Sequence, residues 1–225
     1  MKVDREMALA AALKLLDETG LEKLTMRSLG AALGIQAPSL YHYFPSKRVL
    51  LDAMADAIVA PVVQRFDTGR PEDLRMADMA REFRKALARY RDGAQVVSGS
   101  YGATPSVLKF ADLLLGVFIR HGLDDAAALH ATFNLAYYVQ GFVVEEQAFL
   151  EQWGAVERDA ERHMAAHSLE QKISADYPYL RRCLPALLAA DFDTRFEAGL
   201  DVQLRALDTP PAGQARTSRA RRPRT

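Results

Sequence analysis

Apolar positions recur along this chain at helical spacing, not at the alternation of strands. Between residues 4 and 19, Ala8, Ala12, Leu15 and Leu16 share one face, and Gly20 ends the run. Thr25 is placed to cap a second helix, in which Met26, Leu29 and Leu33 fall on one side before Gly34 stops it. Pro38 suits the first turn of a third helix, with Leu40 and Phe44, four apart, facing inward. The same geometry leaves Ser39, Tyr41, His42 and Tyr43 facing outward. A helix of about two turns that hides two apolar side chains and presents three rings is not explained by core packing. It needs something outside the chain to touch. In a helix-turn-helix, the second helix occupies the DNA major groove with its N-terminal residues against base edges and phosphates.

Further along, Pro45 breaks the third helix and Ser46 caps a fourth, which runs to about Arg65 with Pro61 inside it. A fifth helix, Glu72 to Tyr90, carries Leu74, Met76, Met79, Phe83, Ala86 and Leu87 on an apolar stripe, and Arg91-Asp92-Gly93-Ala94 breaks it. After a short sixth turn, residues 99–105 form a breaker-rich loop long enough to act as a gate, and a seventh helix reaches Arg120. Asp124 caps a long eighth helix, about Asp125 to Gln152, with Leu135, Val139 and Phe142 on one side and Leu129, Phe133 and Ala136 on another. One monomer rarely covers so much apolar surface, so a second chain is expected there. Residues 153–174 read as loop or weak helix, and a short helix follows from Tyr179 to Ala190. The last helix, Phe192 to Leu207, places Phe196, Leu200, Leu204 and Leu207 together, with Ala198 and Gly199 small enough for a partner helix to come close.

The expectation is an all-α protein. Residues 1–46 form a three-helix DNA-binding domain with a helix-turn-helix, 47–70 a connecting helix and linker, and 71–207 a larger helical domain with an apolar face for a second chain. Residues 208–225, rich in Pro, Gly, Ser and Arg, are expected to be a disordered basic tail.

Charge sharpens this division. The net charge is zero, but residues 1–50 carry 7 Lys/Arg against 5 Asp/Glu, and the last fifteen carry 5 Arg and no acid, which leaves the middle acidic. A basic head suits phosphate and an acidic body is repelled by it, which orients the molecule on DNA. The single cysteine, Cys183, excludes an intrachain disulfide and fits a reducing cytoplasm. Residues 126–144 lack charge over a nearly membrane-spanning length, but His130, Thr132, Asn134 and Gln140 interrupt them and both flanks are acidic. A buried helix is expected instead.

The stretch from Leu24 to Leu51 resembles the DNA-binding domain of the TetR family of transcriptional repressors. Thr25, Arg27, Leu29, Gly34, Pro38, Ser39, Leu40, Tyr41, Tyr43, Phe44, Lys47 and Leu50 stand where that family's signature has the same or a similar residue. The resemblance is nearest to the tetracycline repressors and extends to Phe83-Arg-Lys-Ala-Leu, Arg91-Asp-Gly-Ala, Gly141-Phe-Val-Val-Glu-Glu-Gln147 and Phe196-Glu-Ala-Gly-Leu200. It implies a homodimer through a four-helix bundle of the eighth and last helices, a ligand cavity in each protomer, and operator DNA as partner. On this reading Thr25, Arg27, Tyr41 and Lys47 mostly position phosphates, and Arg27, Pro38, Ser39, His42 and Tyr43 are candidates for reading bases. Ala37 stands where the tetracycline repressors carry Gln. An alanine makes no bidentate contact to adenine, so the operator is expected to differ there.

The regulatory domain departs in the same way. Val97, Val63 and Met79 replace polar drug and metal anchors of the tetracycline repressors, and a valine cannot bind a metal as imidazole does. The expected effector is therefore a small lipophilic molecule, with Met79, Phe83, Val97, Tyr101, Phe133, Asn134 and Tyr137 as candidate lining and no metal or cofactor. Catalysis finds no support. Glu145 and Glu146 diverge on a helix, His163 and His167 lack an acidic partner, and Ser98, Ser100 and Ser106 have no nucleophile-elbow context. An activator of the same fold, or a helical small-molecule enzyme or binding protein, stand as the alternatives to a repressor.

Overall fold

The computed structural model describes residues 3–68, 70, 74–100, 104–153, 171–173, 176–189 and 191–205. Every regular element among them is a helix. Helix α1, Arg5–Thr19, starts where Asp4 Oδ1 accepts from Met7 N at 2.8 Å and ends at Gly20, whose φ of 80° needs a residue without Cβ. Its buried face is Ala8, Ala12 and Leu16. Helix α2, Met26–Leu33, opens with a capping box. Ser28 N donates to Thr25 Oγ1 at 3.0 Å and Thr25 N donates to Ser28 Oγ at 2.8 Å, so two otherwise orphaned donors satisfy each other's side chains.

Gly34, in the left-handed region, closes α2 and turns the chain into α3, Ala37–Leu40. Gly30 permits that tight turn, since a Cβ there would lie 3.0 Å from Ile35 O and 3.2 Å from Ala37 N. Helix α3 is shorter than the expected two turns. Tyr41 N bonds Pro38 O at 3.2 Å and Tyr43 N bonds Leu40 O at 3.0 Å, so the backbone tightens to three-residue turns before Pro45 ends it.

Helix α4, Lys47–Phe66, is capped by Ser46 and buries Leu50, Met54, Ile58, Val59 and Val62. It packs on α1 at one end and on α5 (Met76–Ala88), α6 (Gly93–Ser98) and α7 (Pro105–Arg120) along the rest, which makes it the shaft between the small head and the larger body. The fifth helix begins later than expected because Leu74 and Arg75 are not helical. Helix α8, Asp125–Trp153, lies across α5, α6 and α7, followed by α9, Pro178–Ala189, and α10, Phe192–Arg205, against α5 and α8. Gly199 serves a purpose other than the one expected. The space its missing Cβ leaves is filled by the ring of Tyr138 on α8 of the same chain, whose hydroxyl donates to Phe196 O at 2.7 Å. No helix among the described residues is long and apolar enough to cross a membrane.

Candidate nucleic-acid interface and effector cavity

Packing of α1 to α4 buries Leu16, Leu24, Leu29, Leu40, Phe44 and Leu50 and leaves one polar rim. On it, Thr25 and Arg27 at the start of α2, Pro38 and Ser39 on α3, Tyr41 and His42 after it, and Lys47 at the start of α4 are exposed; Ala37 is half-buried. Among the described residues neither Arg27 nor Lys47 makes an ion pair. Lys47 stands in the first turn of a helix, where the backbone dipole disfavours a cation unless an anion joins it.

Tyr43 departs from the outward placement expected of it. Its ring is half-buried and its hydroxyl donates to Val3 O at 2.6 Å, so it pins the start of the chain against the turn and does not project as a base reader. Sequence reasoning also passed over Gln36. It is exposed immediately before α3, its side chain makes no capping bond, and it is the one side-chain amide in the first 50 residues. That uniqueness was the available signal, because amides are the side chains that bond adenine at two points.

The head is tied to the body through the turn between α5 and α6. Asp92 adopts a φ of 55°, a conformation aspartate tolerates, and its Oδ2 accepts from Leu21 N at 2.7 Å. Arg91 N donates in return to Asp17 Oδ1 at 3.1 Å. The sequence marked this turn only as a helix break. Lower on the shaft, Asp52 and Asp56 of α4 accept from Ser100 Oγ at 2.6 Å and from Ser106 N at 2.7 Å, so α4 also holds both sides of the 99–105 connection.

The expected effector lining divides into two sets. Met79, Phe83 and Val97 are buried together in the core, with Phe110 4.8 Å from Phe83 between ring centroids. Phe133 and Tyr137, by contrast, are 48% and 65% exposed and stack on each other at 5.8 Å, on the outer side of α8. They do not join Met79 in a cavity within one protomer. The cause is helical phase: the inner stripe of α8 is Ala128, Thr132, Leu135, Val139 and Val143, and Phe133 and Tyr137 point away from it. Asn134 is exposed too, but it borders a cavity of about 90 Å³ with Met76, Phe118, Leu135 and Gln203. Tyr101, His163 and His167 lie outside the described residues.

Where α5, α8 and α10 meet, cations are fully engaged. Arg84 lies 5.1 Å from the Phe142 ring and 4.7 Å from the Phe196 ring, and its guanidinium bonds Glu146 at 3.1 and 2.6 Å and Asp193 at 2.8 Å. Burial pulls its pKa down, and the two carboxylates more than offset this, so it stays above its ordinary value. Arg81 grips Glu197 through two bonds of 2.8 and 2.7 Å, which hold the Glu197 carboxyl below the usual carboxylate range against the opposing effect of burial. Three of the four sequence segments that resemble the tetracycline repressors in this domain supply most of these groups.

Comparison with known proteins agrees with this geometry. Residues 8–54 match the profile of bacterial regulatory proteins of the tetR family, and residues 71–209 match that of the tetracyclin repressor-like C-terminal domain. The chain belongs to the TetR family. It is 34% identical over 203 residues to the tetracycline repressor protein class A from transposon 1721 of Escherichia coli, covering 89% of this chain and 88% of that one. A possible TetR family transcriptional regulator from Streptomyces coelicolor A3(2) superposes with a TM-score of 0.77 at 36% identity, over 91% of this chain and 98% of that structure. BioQ, solved with its double-stranded DNA operator, matches with a TM-score of 0.58 at 33% identity, over 65% of this chain and 89% of that structure. This TetR-family chain is thus a ligand-responsive, DNA-binding transcriptional repressor and not an enzyme.

Proposed function

We propose that the protein acts as a homodimer that holds a palindromic operator through two recognition helices and is released by a lipophilic effector. The observation that carries the DNA half is that Arg27 and Lys47, exposed and without an ion pair among the described residues, accompany exposed Thr25, Pro38, Ser39, Tyr41 and His42. Thr25, Tyr41 and Lys47 position phosphates, Arg27 serves phosphate or base, and Pro38, Ser39 and His42 meet base edges, with half-sites about one helical turn apart. Ala37 makes no polar base contact.

Dimerisation through α8 and α10 is supported by what one chain leaves uncovered. Leu129, Phe133 and Tyr137 project from α8, and Ala198 and Val202 from α10, in rows that a second copy would bury. An apolar effector is supported by the character of the buried set Met79, Phe83, Val97 and Phe110. Its entry acts on α4, the shaft that both domains share, and spreads the reading heads. A preference of a few kcal/mol for the spread form is enough to reverse operator occupancy.

Mobility shifts on the promoter region test the DNA half. Arg27→Ala is expected to weaken operator binding by about 1–3 kcal/mol. Lys47→Ala should lower the slope of log affinity against log salt by about 0.9 for each lost phosphate contact. An operator bound by both variants with unchanged affinity and unchanged slope would defeat the assignment.

A further inference from the structure

Thr132 is a polar residue in the middle of the inner stripe of α8, only 6% exposed. Its neighbours along the stripe are Ala128, Leu135 and Val139, and α5 and α7, which pack on α8, contribute Met79, Phe83, Phe110 and Leu114 to the same core. Its Oγ1 is sealed from solvent and has no hydrogen-bond partner among the described residues. Helical hydroxyls normally escape this state by donating to the carbonyl four residues back. Thr19 does so to Leu15 O at 2.8 Å and Ser98 to Ala94 O at 2.7 Å. Thr132 does not.

Packing gives no reason for a hydroxyl at this position, because valine has the same shape and leaves no buried oxygen unsatisfied. Leu135, one turn further along the stripe, lines the cavity of about 90 Å³ described above. That volume is too small for a drug-sized molecule, so an effector of that size requires side chains of this core to move.

We infer that the Thr132 hydroxyl is the polar anchor of the effector site, donating a hydrogen bond to a carbonyl oxygen on an otherwise apolar, ring-containing ligand. This rests on the effector reading above and deepens it. A neutral acceptor fits because the O–H has no other acceptor among the described residues, and because Thr132 is the one buried polar residue among them, so the core holds no buried counter-ion for a charged ligand. A ligand carboxylate or ammonium there would remain unpaired.

The experiment uses the full-length chain and two probes of one skeleton, 9-fluorenone with a ring carbonyl and fluorene with a methylene in its place. Affinities are read from quenching of intrinsic fluorescence, and an operator mobility shift on the same samples without probe verifies the fold and the DNA function. Wild type should bind the ketone about threefold to tenfold more tightly than the hydrocarbon, the range of one net hydrogen bond. Thr132→Val should abolish that preference while leaving fluorene affinity unchanged, and Thr132→Ser should restore it. Equal binding of both probes by wild type, or a preference that survives in Thr132→Val, overturns the anchor and leaves the apolar cavity standing. Binding of neither probe removes both, with operator binding still intact.

Discussion

Arg27 and Lys47 on the head and four arginines in the body are used in opposite ways, although Lys14 on the head's α1 does pair with Glu18 at 3.7 Å. On the head, Arg27 and Lys47 are exposed and make no ion pair among the described residues, although Glu22 is also exposed nearby in sequence. In the body, Arg81, Arg84, Arg91 and Arg195 each close on a carboxylate, and Arg84 lies against two phenyl rings as well. The difference is one of where the anion comes from. A cation whose partner is built into the fold joins helices together, whereas one left open at a helix start is available to a phosphate that arrives with the operator. Zero net charge conceals both uses, and only the placement separates them.

If that contrast is right, removing a body cation changes stability and leaves the salt dependence of operator binding alone. The largest effect is expected for Arg84→Ala. It strands the Glu146 carboxylate, whose side chain is 15% exposed, and removes the guanidinium that covers the touching Phe142 and Phe196 rings. Breaking a buried pair from one side costs about 3–5 kcal/mol. Thermal unfolding should move down by on the order of 10 °C. Among molecules still folded, the salt slope should equal that of wild type; a reduced slope would mean that Arg84 faces DNA phosphate and the contrast is false.

A smaller effect separates the two kinds of aromatic residue on the head. Tyr41 is 49% exposed, whereas Tyr43 spends its hydroxyl on Val3 O. Tyr43→Phe should cost stability by about 0.5–1.5 kcal/mol, one net hydrogen bond. Operator affinity at full occupancy of the folded state should be preserved. A loss of affinity larger than the loss of stability would restore Tyr43 to the reading surface.

Those residues also mark how far the sequence could be read. The caps and stops of the head were legible because Thr25, Gly34, Pro38 and Ser46 act locally, within a turn of where they stand. The resemblance then carried the family. Tyr43 was misplaced because its partner, Val3, lies 40 residues away and no periodicity reports a contact at that distance. The candidate effector lining divided between core and outer face for a different reason. A helix apolar around most of its circumference has no polar side to fix its phase, so Phe133 and Tyr137 were as good a choice as the stripe that contains Thr132. Met79, Phe83 and Val97 were placed in the core because the amphipathic α5 and the breaks around α6 left little freedom.

The mildest expected effect refines the body half of the contrast, because it concerns a pair that is only partly shielded. Arg81 and Glu197 bond at 2.8 and 2.7 Å, yet their side chains are 42% and 44% exposed, so water and salt screen much of the attraction. Arg81 nevertheless holds the Glu197 carboxyl below its ordinary range. Since the folded pKa is depressed, the stabilisation is fully present above the unfolded carboxylate value of about 4.3. It disappears as pH falls through the lower folded value. Glu197→Gln should therefore melt slightly below wild type near neutrality, and the two curves should converge on acidification. Added salt should narrow the neutral gap for this pair more than for Arg84→Ala, whose ions are better buried. A gap that persists unchanged into acid would show that Glu197 contributes through packing against α5 and not through its charge, and would leave Arg84 as the centre of the paired set.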